Sequence, residues 1–390
     1  MTSFKPYILI VVVALIVGAI YFIDSNTVKR AQPGQGVTVN SRIDQSRNQE
    51  IKKTKEQGNN SSVTQSTQTS SSTRQFVNPL TDSTETKSKH YELAKEITTP
   101  DGFINTDGKP ITVNELIGKK VILIDFWTYS CINCQRTTPY LNAWYKKYQD
   151  QGLVIIGVHT PEFEFEKKYD NVKAAVEKFG IKFPVVLDND YSTWTAYKNR
   201  YWPRKYLIDI DGYVTYDHIG EGGYEETEQK IQEALKERLA VLNEAGTINQ
   251  SVTKEISISD RAQISPETYF GSARNTQQKN FLFPNDGWQV TSEFAQNNSA
   301  NASIVYNYTA KDVFLVAESG QESIVEVFLD GKSLGAEAGS DIIKTSDGKS
   351  LVKMKEARLY KIIQGNQSEN HILKLIIQKP GLKAFAFTFG

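Results

Sequence analysis

The chain has 390 residues, a length for two or three folded domains, with 45 basic and 45 acidic side chains and a formal net charge of zero. Balanced charge gives no global field that would gather nucleic acid or an acidic substrate. Two cysteines and four histidines exclude a disulfide-stapled scaffold and argue against a cysteine-rich zinc module; no histidines form an i, i+4 pair.

In chain order, the first element is apolar. Tyr7 to Ile23 (YILIVVVALIVGAIYFI) is a run of 17 uncharged residues between Lys5 and Asp24. That is the short end of a membrane-spanning helix, with Tyr7 and Tyr21 near its ends as interfacial aromatics. A cleaved secretory signal is the rival reading, but the run closes with AIYFIDS, a poor cleavage site. An uncleaved membrane anchor is therefore expected over residues 1–23. Lys5 on one side and Lys29 with Arg30 on the other leave its orientation open. Residues 24–95 show no sustained apolar periodicity, and NNSSVTQSTQTSSSTRQ (59–75) is nearly all small and polar. Such a segment cannot offset its ordering entropy by burial, so a disordered Ser/Thr/Gln-rich linker is expected, reaching about 45 Å r.m.s..

An α/β domain is expected over 96–247. DGFINTDGKPITVNELIG reads as a hairpin around Asp107-Gly108 and then a short helical turn ending at Gly118. VILIDFW (121–127), LVIIGVH (153–159) and FPVVLD (183–188) are apolar on both faces, as central strands of a covered sheet are. Helical patterns lie between them, over 132–149 and in NVKAAVEKFG. KYLIDIDGYVTYDHIG (205–220) is a hairpin turning at Asp211-Gly212, and EETEQKIQEALKERLAVLNEAG is a helix closed by Gly246. The order β-α-β-α-β-β-α implies a mixed sheet between helices. After Ser251 the helical period fades. Alternating runs at 303–310, 313–319, 323–331, 371–378 and 383–390 predict an all-β sandwich, jelly-roll-like, over 251–390.

Both cysteines fall in FWTYSCINC, where Cys131 follows a strand and opens a helix. Unpaired N–H groups at a helix start favour a thiolate there, and Cys134 one turn later is close but deeper. This arrangement makes Cys131 the attacking thiol and Cys134 the resolving one. A structural disulfide would staple almost nothing across a two-residue spacer, and a half zinc site lacks its other ligands. Asp125 lies in the apolar strand before the pair. Burial raises a carboxyl pKa, so it can hold and pass the Cys134 proton; the competing reading is an Asp bonded to backbone or solvent at the sheet end. Trp127 either covers the site or belongs to the core. Pro139 should kink or interrupt the helix, and Trp202-Pro203 precedes a strand. His159 at a strand end either tunes the thiols or is structural, and the Glu162, Glu164, Glu166 run reads as a solvated loop or a first helical turn.

At these residues the chain resembles the thioredoxin family. The matching features are DFW, the CxxC six residues after Asp125, Pro139 five residues after Cys134, and Pro203 before a strand and DG hairpin. Within that family it is most similar to the extracytoplasmic TlpA/ResA-like group and to the C-terminal region of DipZ-type cytochrome c biogenesis proteins. The segments WTYSCINCQRTTPYLNAWYKKYQDQGLVIIGVHTPEFEFEK and YWPRKYLIDIDG carry the latter likeness, and there too a thioredoxin domain precedes a β-sandwich likened to carbohydrate-binding modules. The resemblance implies Cys131 as nucleophile, Cys134 as resolving cysteine, Asp125 as buried acid and Pro203 as a cis-proline, with Trp127, Trp202 and Pro203 around the substrate groove. It also implies soluble domains on the extracytoplasmic side of a cell membrane. The implied substrates are protein disulfides, apocytochrome c among them, and the implied electron donor is a CcdA- or DsbD-like membrane protein. No cofactor beyond the cysteine pair, no metal and no nucleic-acid partner are expected. The bulky Trp202 and Arg204 flanking Pro203 depart from the family pattern.

Three other functions fit the sequence less well. The same dithiol can run as a disulfide-donating oxidase, since CxxC centres span about −270 to −120 mV and Ile132-Asn133 does not decide. Thr128, three before Cys131, echoes a peroxiredoxin site, but Ile124 stands where that pattern wants proline. A cell-envelope glycan-binding role would use aromatics of the sandwich, with Trp288, Tyr306 and Tyr308 as candidates, but aromatics on alternating strands are more often core, and a structural domain shielding the thioredoxin face is the competing reading.

Overall fold

A computed structural model of the chain describes residues 86–253, 264–275 and 281–390. The expected anchor (1–23) and most of the expected linker lie outside the described residues. Among the described residues no helix is long and apolar enough to cross a membrane. Residues 86–95, assigned to the linker by composition, are packed on the first domain. Lys87 meets Asp209, Asp211 and Glu237 at 2.5–2.7 Å, and Leu93 bridges Tyr213. Composition misses this because the partners lie more than a hundred residues away.

The first domain holds strands β1 (Gly102–Ile104), β2 (Val121–Trp127), β3 (Leu153–His159), β4 (Val185–Leu187), β5 (Arg204–Ile208) and β6 (Val214–Ile219). Its helices are α1 (Ile132–Tyr148), α2 (Tyr169–Lys178), α3 (Ser192–Ala196) and α4 (Tyr224–Leu242). The sheet order is β1-β4-β3-β2-β5-β6. β3 runs parallel to β2 and β4, while β5 is antiparallel to β2 and to β6. This is a thioredoxin-like α/β domain. The expected hairpin at Asp107-Gly108 does not form: β1 pairs with β4 instead. α4 ends at Asn243 in the left-handed region (φ 52°), three residues before the expected Gly246. α1 continues through Pro139; a proline there removes only the donor to residue 135.

β2 is buried along its whole length because both faces are covered. Strand alternation sorts its side chains. Ile122, Ile124 and Phe126 enter one core with Trp194, Tyr197 and Tyr206. Val121, Leu123 and Trp127 enter the other, with Leu141, Trp144 and Cys134. Asp125 shares the parity of the second set, so the period of the strand sends its carboxyl toward Cys134.

The C-terminal domain contains β7 (Thr268–Tyr269), β8 (Leu282–Phe283), β9 (Trp288–Val290), β10 (Ala295–Asn297), β11 (Ala302–Ser319), β12 (Ser323–Leu329), β13 (Lys332–Ser333), β14 (Ile342–Lys344), β15 (Ser350–Met354), β16 (Arg358–Ile377) and β17 (Leu382–Phe389). All pair antiparallel in one 11-stranded sheet. Two separately paired sheets are therefore replaced by one continuous ladder built on β11 and β16, of 18 and 20 residues. The runs read as separate strands at 303–310 and 313–319 are both β11, broken only by register shifts near Asp312. Inward residues such as Ile304, Val325, Val352 and Leu375 form one apolar cluster.

The two domains share buried surface. Phe314, Val316, Leu359 and Phe385 join the core cluster that contains Trp127 and Cys134. Phe385 lies 5.2 Å from Phe163 and 4.8 Å from Phe165, edge-on to both.

Candidate active site

Cys131 is the N-cap of α1, in extended conformation, and its Sγ accepts the N–H of Cys134 at 3.3 Å. A helix N-terminus favours negative charge on that sulfur. Cys131 is partly exposed and Cys134 is buried, and neither forms a disulfide. Burial pushes the Cys134 thiol well up, and the adjoining Cys131 adds to the effect. The pair is thus divided into an accessible sulfur and a protected one.

Below Cys134 lies Asp125, only 2 % exposed. Burial raises its carboxyl to about 7, opposed by Lys205, and its Oδ1 has no hydrogen-bond partner. Lys205 is the β5 residue in register with Asp125, and it is fully buried. Its ammonium donates to the Gly220 carbonyl at 3.2 Å. Burial lowers its pKa, while Asp125, Cys134 and Glu221 pull it back up. Cys134, Asp125 and Lys205 therefore form one electrostatically coupled group. Sequence reading missed Lys205. Its trace was a lysine sharing the parity of the buried Leu207 in the strand Arg204–Ile208.

Across the groove, the Trp202-Pro203 peptide is cis. The Trp202 carbonyl lies 3.9 Å from Cys131 Sγ. The Trp202 indole donates to the Thr160 carbonyl at 3.0 Å and packs 4.3 Å from Trp194. Pro203 is buried and Trp202 half-buried, so the backbone at 202 forms the wall beside the nucleophile. Trp127 does not belong to this wall. It is 3 % exposed, and its indole crosses β3 where Gly157 leaves room; a Cβ at 157 would lie 3.0 Å from the indole nitrogen. Trp127 is core.

The loop before Cys131 is held from two sides. Glu166, read as part of a solvated acidic run, is fully buried. It accepts from Ser130 Oγ at 2.7 Å and Ser130 N at 3.2 Å, and from the N–H groups of Glu162 and Phe163 at 2.6 and 3.0 Å. Four otherwise stranded donors explain its burial. Tyr129 stacks on His159 at 5.7 Å and donates to the Ala357 carbonyl of the β-domain at 3.2 Å. His159 is wholly buried, and burial lowers its pKa to about 3. It is neutral at ordinary pH, packed between Trp127 and Tyr129, a structural histidine.

The aromatics considered for a glycan platform are interior. Trp288, Tyr306 and Tyr308 are 8 %, 6 % and 1 % exposed and lie within the β-domain core. Alternation put them on one face of their strands, and that face points inward.

Residues 87–217 match the AhpC/TSA family, and residues 265–390 match the family described as "Thioredoxin like C-terminal domain". Protein DipZ of Mycobacterium bovis is 36 % identical over 310 residues, which cover 74 % of this chain and 41 % of that protein. Thiol-disulfide oxidoreductase YkuV of Bacillus subtilis is 31 % identical over 142 residues, covering 36 % of this chain and 93 % of the relative. Thiol-disulfide oxidoreductase ResA of Bacillus thuringiensis is 35 % identical over 136 residues, covering 34 % and 73 %. The chain spans about two fifths of the length of the DipZ protein it matches.

Proposed function

We propose, since the chain belongs to the thioredoxin-like thiol–disulfide oxidoreductases, that Cys131 and Cys134 are its redox couple and that it works as a membrane-anchored reductant of extracytoplasmic protein disulfides. The observation that carries the redox assignment is the division of the pair: a partly exposed sulfur at a helix start and a buried thiol above a carboxyl of pKa about 7. The Cys131 thiolate attacks one sulfur of a substrate disulfide. A mixed disulfide forms and one substrate thiolate leaves. Cys134 then gives its proton to Asp125 and attacks Cys131 Sγ, releasing the second substrate thiolate and leaving the Cys131–Cys134 disulfide. Two electrons pass to the substrate. Lys205 is a positioning residue that keeps Asp125 titrating near neutrality, and the backbone at Trp202-Pro203 aligns the substrate strand. No cofactor enters this cycle.

The apolar run at 7–23 supports a membrane anchor there, and the resemblance of the CxxC and YWPRKYLIDIDG segments to the DipZ-type cytochrome c biogenesis proteins is the ground for proposing an extracytoplasmic location and a role in cytochrome c maturation. Apocytochrome c is the proposed substrate. A CcdA- or DsbD-like membrane protein is the proposed electron donor, because the cycle ends with an oxidised pair that something must reduce.

The test is to equilibrate the protein in thiol buffers of defined potential and read the pair by alkylation and mass. A potential at or below about −270 mV supports electron donation. One toward about −120 mV overturns the reductase reading in favour of a disulfide donor. No two-electron couple at all overturns the redox assignment. A Cys134→Ser variant should accumulate the mixed disulfide, which identifies the substrate by mass.

A further inference from the structure

We infer that the cleft between the start of α1 and the β-domain is a docking site for the polypeptide flanking the target cysteine, and that it selects segments bearing Asp or Glu. The inference rests on the thiol–disulfide reading above. The cleft encloses about 440 Å³. Ile132, Gln135 and Arg136 form its thioredoxin-domain wall, and Phe314, Arg358 and Lys361 stand on the β-domain side. Ile132 is the residue after the nucleophile, so one wall of the cleft begins one residue from Cys131.

Its charge is unbalanced. Arg136, Lys178, Arg358 and Lys361 line it, against Asp312 and Asp341. Asp341 is already engaged, accepting from Arg358 at 2.8 Å and from the Lys361 backbone N–H at 2.7 Å. Asp312 stays 3.8 Å from Arg136 and 3.9 Å from Lys361, beyond hydrogen-bond length. Arg136 reaches Glu221 only at 3.5 Å, and Lys178 is exposed, its ammonium 6.0 Å from the Phe179 ring centroid. Arg136 and Lys361 thus hold only long ion pairs and lie 5.7 and 5.6 Å from the Phe314 ring centroid, so neither they nor Lys178 has a carboxylate oxygen nearer than 3.5 Å. A carboxylate side chain completes them, and an arginine can take it in bidentate fashion. Beneath the charges, Ile132, Phe314 and Leu359 are nearly buried and offer apolar surface to the stem of a Glu or to a neighbouring aliphatic residue. The whole chain is neutral, so the selectivity is local.

The experiment uses the reduced full chain in single-turnover reduction of three peptide disulfides that differ only in flanking residues: acidic, neutral or basic. Hydroxyethyl disulfide, small and uncharged, is the control. The acidic peptide should react about tenfold faster than the neutral one and the basic peptide more slowly still. In 1 M salt, where the Debye length is about 3 Å, the spread should shrink to about twofold. Lys178→Glu and Lys361→Gln should each reduce the acidic preference about two- to fivefold, with the hydroxyethyl disulfide rate unchanged in both and Tm unchanged in Lys178→Glu. Equal rates for the three peptides, or full acidic preference in both variants, overturns the docking inference while hydroxyethyl disulfide is still reduced. If the intact thiols fail to reduce hydroxyethyl disulfide, the thiol–disulfide reading itself is overturned, and the docking inference with it.

Discussion

Asp125→Asn tests the central claim that a carboxyl titrating near neutrality lies under the resolving cysteine. The side chain is fully buried, and burial lifts it from 3.8 to about 7. The folded protein therefore binds a proton that the unfolded chain has released, across pH 4 to 7. Native stability must fall with rising pH over that window, because there the folded state binds more protons than the unfolded one. Each pH unit of the gap is worth about 1.4 kcal/mol, so the full effect is about 4 kcal/mol. Asparagine cannot ionise and lacks it. The assay is urea unfolding of the reduced wild type and Asp125→Asn at closely spaced pH values between 4 and 8. Subtracting the two curves cancels the titrating groups that do not interact with Asp125. The stability of the variant relative to wild type should rise by about 4 kcal/mol from the acid to the alkaline end. Losing its partner depresses Lys205 further, and a depressed lysine also gives stability that rises with pH, so this contribution has the same sign. A difference that stays flat to within about 1 kcal/mol across the range refutes the buried, proton-holding carboxyl.

Lys205→Met removes the cation that opposes burial at Asp125. The pH profile of mixed-disulfide resolution, followed by stopped-flow, should move to higher pH by about one unit or more; an unmoved profile means the two groups are not coupled. Glu166→Gln keeps the shape but replaces one acceptor oxygen by a donor. At least one of its four hydrogen bonds to residues 130, 162 and 163 must be lost, and urea unfolding should show a loss of about 2–3 kcal/mol. Tyr308→Phe should lie within about 1 kcal/mol of wild type or be more stable, because the buried hydroxyl has no hydrogen-bond partner. A large loss in calorimetry would point to a bond that the geometry does not contain.

The cysteine pair and its strand were legible because their signals are local. VILIDFW is apolar on both faces, and CINC sits where strand meets helix, so β2, the start of α1 and the positions of Asp125, Cys131 and Cys134 follow from a dozen residues. Lys205 was hidden because its meaning depends on register. Only the antiparallel pairing of β5 with β2 sets it beside Asp125. Of the two readings of the acidic run, the helical turn forms over Glu164–Lys167, while the solvated one fails at Glu166 because the stranded N–H groups of residues 130, 162 and 163 converge on it. Alternation assigns Tyr306 and Tyr308 to one face of β11, and the ordinary reading of such aromatics as core, rather than as a glycan platform, is the one the burial bears out. The same strand was read in two pieces because Lys311-Asp312 interrupts the apolar pattern at a bulge, while the backbone ladder continues past it.

The buried Asp125–Lys205 pair is hard to explain as a stabilising device. Removing two charges from water costs several kcal/mol per ion, and apolar residues of similar volume commonly do as well or better. The pair is also poorly satisfied: Oδ1 of Asp125 has no partner, and the Lys205 ammonium, which carries three donors, has one hydrogen bond, to Gly220. An incompletely bonded carboxyl whose pKa is near 7 is poor mortar and a serviceable proton acceptor. The neighbouring thiol needs one, since burial drives Cys134 away from the thiolate that resolution requires. Proton transfer from Cys134 to Asp125 moves a negative charge between two sites that already share Lys205, so the net charge of the buried group is unchanged during the step. The lysine makes that transfer tolerable in a low-dielectric interior, because it faces an anion before and after it. The instability built into β2 and β5 is thus accounted for by the resolving step, and it is the same quantity that the pH-dependent unfolding of Asp125→Asn measures.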